Sequence, residues 1–126
     1  MNVLIVALDA VVPPRVADAD VLVVAPAVNS KLRHWLSDED AARCRAKALA
    51  DVLVELLKKD GVRAKGRAGD FDPLLAIADA LPTFPADEIV IAGRPSHSNG
   101  LDQLVSRIRD RFALPIRAVD SLAVSA

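Results

Sequence analysis

Ile89, Val90, Ile91 and Ala92 stand in a row with no polar residue between them, and the chain turns polar soon after Gly93. A strand with one wet face alternates apolar and polar residues, so an unbroken apolar run marks a strand covered on both sides. The stretch 86–112 continues as a polar loop opened by Gly93 and then as an amphipathic helix from about Asn99. Leu101, Leu104, Val105, Ile108 and Phe112 recur on one face of a 3.6-residue period. In an open α/β sheet, ligands sit where strands end and helices begin, because free backbone N–H groups point there. The loop after Ala92 is therefore the first place to expect a small-molecule site.

The rest of the chain repeats this alternation. Residues 3–8 form an apolar run closed by Asp9, read as the first strand, which sets Asp9 at the strand's carboxyl end. As an isolated feature Asp9 reads better as the cap of a turn. Residues 10–20 contain Pro13 and Pro14 and leave room for a compressed crossover rather than a full helix. That shortening predicts a first strand with one side thinly covered and apolar residues left seeking a partner. Residues 21–25 are the second strand, stopped at Pro26. His34 and Trp35 follow in an irregular loop, where Trp35 or Leu36 packs as a hydrophobic staple; a sharper reading puts His34 and Trp35 at the mouth of the crevice, against a ligand or a second subunit.

Ser37, Asp38, Glu39 and Asp40 have the form of a capping box with acidic residues in the first turn. The helix that follows reaches about Lys59, with Ala42, Leu49, Val52, Leu53, Leu56 and Leu57 on one face and Gly61 as its left-handed stop. Residues 62–67, ending at Gly66 and Gly69, make a third strand at a sheet edge. Asp72 and Pro73 start a short helix carrying Leu74, Leu75, Ile77, Ala78 and Leu81, closed by Pro82. Residues 115–119 are the fifth strand. Strands alternating with helices, joined by connections long enough to cross over, mean a parallel α/β sheet.

Composition narrows the function classes. The 126 residues make one domain large enough for a real core, and 52% are apolar. The mean hydropathy of +0.29 is spread over short runs, none near the roughly 20 residues of a membrane span. The opening MNVLIVALD has no basic flank and meets Asp9 too early for a secretory signal, so a soluble cytoplasmic protein is expected. A net charge of −1 and an aromatic content of 3% argue against nucleic-acid binding. Cys44, the single cysteine, excludes an internal disulfide and reads as a small packing residue or a bystander. His34 and His97, far apart in sequence, do not make a metal site.

Several strings, in order, resemble the universal stress protein family. LIVALD resembles that family's first strand; Gly69-Asp70-x-x-Pro73-x-x-x-Ile77 followed by ADEIVIAG resembles its third strand, helix and fourth strand; LPIRAV resembles its last strand. Phe71 and Asp72 are inserted ahead of the proline, and NSKLRHWLSDEDAA is similar to an actinobacterial branch. The resemblance covers nearly the whole chain. It implies a three-layer Rossmann-like domain of the adenine nucleotide alpha hydrolase-like type, with a five-stranded parallel sheet in the order 3-2-1-4-5.

ATP-binding members of the family carry G-x-x-G-x9-G-[ST] after the fourth strand. Gly93 fills the first place here, but Ser96, Ser106 and Arg107 fall on the later ones, and Gly100 is out of step. Asp9 matches the family's acidic residue near the nucleotide. The loop still suits an anion: Arg94 supplies a cation, Ser96 and Ser98 hydroxyls, and Asn99 and Gly100 the start of a helix whose dipole favours negative charge. The plain reading is that Ser98 or Asn99 caps the helix and Arg94 is solvated. No strand–G-x-S-x-G–helix elbow exists, so no catalytic residues are assigned. The expected function is a stress-response or regulatory protein that acts by binding, with a degenerate nucleotide or phosphate site and no required cofactor, ATP or phosphate binding weakly. Two alternatives are a nucleotide-binding sensor with weak phosphohydrolase activity and a homodimeric adaptor with a vestigial crevice. A homodimer through the fifth strand, the sheet's C-terminal edge, is expected because Ile116, Ala118 and Val119 leave that edge without a lysine.

Overall fold

The computed structural model describes residues 1–8, 19–27, 39–70, 72–93 and 98–119, with 39–40, 98–102 and 119 described by backbone alone. Within these, strands β1 (Asn2–Ala7), β2 (Asp20–Pro26), β3 (Arg63–Gly69), β4 (Glu88–Ala92) and β5 (Ile116–Val119) alternate with helices α1 (Glu39–Lys59), α2 (Pro73–Ala80) and α3 (Ser98–Arg111). The strands form one sheet in the order β3-β2-β1-β4-β5, every pairing parallel. The architecture is the three-layer, Rossmann-like α/β fold expected from the sequence.

The apolar runs are continuous because both faces of the central strands are buried. Val3, Ile5 and Ala7 point to the face packed by α1, while Leu4 and Val6 point to the face packed by α2 and α3. All five are 0–1% exposed, so β1 is not thinly covered on either side, against the expectation drawn from the short crossover. Residues 9–18 of that crossover lie outside the described residues. Strand β2 also runs one residue further than expected. Pro26 pairs with Gly69, and the next donor, Ala27 N, bonds to Gly69 O at 3.2 Å, so the missing proline N–H does not end the ladder.

Helix α1 buries Ala42, Ala46, Ala50, Leu53, Val54 and Leu57. Val52, expected on that face, is 51% exposed, because the line of small residues at 42, 46 and 50 turns the helix so that Leu53 and Val54 face the sheet. Cys44 is exposed and belongs to no packed face. Leu75 of α2, also expected inside, is 41% exposed, the buried positions there being Leu74, Ala76, Ile77 and Ala80. That helix starts as the sequence indicates: Asp72 accepts from Leu74 N at 2.9 Å, and Pro73 takes the first helical position.

Helix α1 ends in a Schellman motif. Gly61 N bonds to Lys58 O and Val62 N to Leu57 O, both at 3.0 Å, with Gly61 at φ +80. Nothing lies within 4 Å of a Cβ built on Gly61, so an alanine there meets backbone strain alone. Gly61→Ala is expected to lower stability by about 1–2 kcal/mol, the cost of a left-handed residue with a Cβ. Urea denaturation measures it; an unchanged midpoint would mean that the turn adopts another geometry at no cost.

The two sheet edges differ. Strand β3 places Ala64 and Ala68 toward the α1 side, so Arg63, Lys65 and Arg67 alternate onto the other face. Strand β5 presents exposed Arg117 and Ala118, with Arg117 Nη2 donating to Glu88 Oε1 of β4 at 3.1 Å.

Candidate functional site

The sheet's order fixes where a crevice can open. From β1 the chain proceeds outward to β2 and β3, then returns to lay β4 on the opposite side of β1. The direction of winding therefore reverses between β1 and β4, which is where open α/β sheets bind ligands. Their carboxyl ends are level: Ala7 pairs with Ala92, and Leu8 N continues the ladder to Ala92 O at 2.8 Å. Gly93, immediately after, is buried. The first turn of α3 begins at Ser98, one residue ahead of the sequence estimate, and includes Asn99 and Gly100.

Of the residues expected at an anion site, the structure places Gly93 at the end of β4, with Ser98, Asn99 and Gly100 in the backbone of the opening helical turn. Asp9, Arg94 and Ser96 lie outside the described residues, as do His34, Trp35 and His97. A backbone N–H end at the switch point is a fitting place for a phosphate, since three to four donors there have no partner inside the helix. Among the described residues no group of three or more His, Cys, Asp or Glu gathers to hold a metal ion.

No family model and no curated protein matches the chain.

A second concavity lies at the other end of the sheet. Its residues come from the amino ends of β2 and β3, the end of α1 and the connection between α2 and β4. The one signal in the sequence was the alternation of cations at Arg63, Lys65 and Arg67, which in a strand puts all three on one face. No helix among the described residues is long and apolar enough to cross a membrane.

Proposed function

We propose that this chain is a universal-stress-protein-like cytoplasmic regulatory protein that acts by binding, with a degenerate nucleotide or phosphate site at the β1/β4 switch point. The observation that carries this is the strand reversal itself, which sets Ala7, Leu8 and Ala92 at one level, with Gly93 buried just beyond them. Asp9, Arg94 and Ser96 are the residues assigned to complete the site, with the first turn of α3 receiving the anion. Replacement of the later motif glycines by Ser96 and Ser106 adds side chains where backbone would approach the phosphates, and this weakens binding.

Calorimetric titration with ATP is expected to give a dissociation constant in the high-micromolar range or weaker, about 5 kcal/mol or less. Tight, stoichiometric binding would overturn the degenerate site and favour a nucleotide sensor with phosphohydrolase activity. Arg94→Ala is expected to weaken inorganic phosphate binding further; an unchanged affinity removes Arg94 from the site.

The proposed protein is a homodimer paired through β5. The supporting observation is that β5 closes the sheet as an edge and that its Ala118 is exposed. A strand edge offers unpaired N–H and C=O groups that a two-fold partner satisfies. Light scattering at micromolar concentration is expected to return a dimer, and Ala118→Pro a monomer. A dimer indifferent to the proline would move the interface elsewhere.

A further inference from the structure

We infer that the amino-terminal end of the sheet holds a second binding site, for a small amphipathic organic anion: a carboxylate, sulfonate or phosphate carried on an apolar body. The groove there has a volume of about 700 Å³, within the range of about 300–1,000 Å³ common to small-molecule sites. Two kinds of surface meet in it. Val21, Val62, Ala64, Phe84 and Pro85 supply apolar contact, and Lys58 and Lys65 supply positive charge beyond that of Arg63, which is shared with Asp20. Asp20 is the one carboxylate among the described lining residues, and it is already engaged by Arg63 Nε at 2.9 Å.

The cations arise from the fold and not from chance crowding. Arg63 and Lys65 lie two apart on β3, so both project to the same face of the edge strand. Lys58 stands in the last turn of α1, which the Schellman turn at Gly61 brings back to the start of β3. The opposite wall is held in place by its own bonds. Thr83 Oγ1 and Phe84 N both bond to Ala80 O, at 3.1 and 2.9 Å, and Asn2 Nδ2 donates to Pro85 O at 2.9 Å. A preformed apolar wall facing a cationic strand matches a ligand with one charged end and one apolar end. A neutral apolar ligand would leave the cations unused, and a simple inorganic anion would leave the wall uncovered.

This site lies at the opposite end of the sheet from the proposed nucleotide site, and neither depends on the other. The test is an amide-shift titration of the isotopically labelled full chain with 8-anilinonaphthalene-1-sulfonate. Its uncharged analogue N-phenyl-1-naphthylamine and inorganic phosphate serve as the parallel probes. The expected result is saturable binding of the sulfonate with shifts at Val21, Val62, Ala64, Lys65 and Phe84, and at least about tenfold weaker binding of the neutral analogue. Lys65→Glu, an exposed change on β3, is expected to weaken the sulfonate at least about tenfold with its thermal unfolding little changed. Arg109→Glu on α3, the same charge change outside the groove, should leave it as it is. Sulfonate shifts centred on Ala7, Ala92 and Gly93, equal affinity for both naphthyl probes, or no effect of Lys65→Glu would each overturn the site. Inorganic phosphate binding in the groove as tightly as the sulfonate would also overturn it, since phosphate has no apolar body to cover the wall.

Discussion

Leu53→Ala is expected to destabilise the protein by about 2–5 kcal/mol, and Val52→Ala by no more than about 0.5 kcal/mol. The two residues are neighbours on α1, yet Leu53 is 0% exposed and Val52 is 51% exposed. Leu53 fills the space between the helix and the sheet, and its truncation leaves a cavity as well as losing apolar burial. Alanine is the better helix former at both positions, so propensity cannot account for a loss at Leu53. Against a typical domain stability of about 5–15 kcal/mol, the larger loss is a visible fraction of the whole. Urea denaturation of both variants decides it, and equal midpoints would mean that α1 is rotated from the orientation described.

Gly69→Ala comes second in expected size. A Cβ built there would lie 2.7 Å from Val24 Cγ1 and 2.9 Å from Ala76 Cβ. Val24 is fully buried, and the methyl of Ala76 has no torsion that could move it aside, so α2 itself must shift. Overpacking of this kind costs about 1–3 kcal/mol. Loss of glycine's freedom in the unfolded chain offsets it by about 0.4–1 kcal/mol, so the net effect remains destabilising. The double variant Gly69→Ala with Ala76→Gly should be less destabilised than the sum of its parts, since one of the two clashes is gone. Strict additivity, or a Gly69→Ala protein as stable as the parent, would mean that α2 does not sit this close to β3.

How far the sequence could be read follows from where each residue's partners lie. Ile89, Val90, Ile91 and Ala92 declared a strand buried on both faces by themselves, because that requirement is visible in four consecutive letters. Asp72 with Pro73, and Gly61 after Lys59, marked helix ends by local chemistry, and both ends are where those residues put them. Val52 falls on the apolar face by sequence and outside it in the fold, because a 3.6-residue period cannot tell which margin of a broad apolar stripe the sheet will meet. The alanines at 42, 46 and 50 decide that only once the helix is laid down. Gly66 and Gly69 looked like the end of a strand, whereas both lie within β3, under α1 and α2 respectively. Their purpose depends on Val54, Val24 and Ala76, residues of other elements that come close only in the fold. The carboxyl-end crevice was legible from Gly93 and the helix after it, since strand and loop adjoin in the chain. The amino-end groove was not, because Val21, Lys58, Lys65 and Phe84 meet only through the parallel order of the sheet.

The contrast between the sheet's two edges bears on what happens if molecules of this protein meet edge to edge. A β5 edge laid against a β3 edge would be a head-to-tail contact, leaving one free edge of each kind and hence an invitation to add further copies without limit. Arg63, Lys65 and Arg67 stand along β3, and cations on an edge strand oppose such docking. A β5 edge laid against another β5 edge uses the same surface twice and leaves only the two cationic edges outward. If copies of the chain pair along the sheet, the cations of β3 would oppose growth beyond two copies, and removing the charges at 63, 65 and 67 would open a path to filaments.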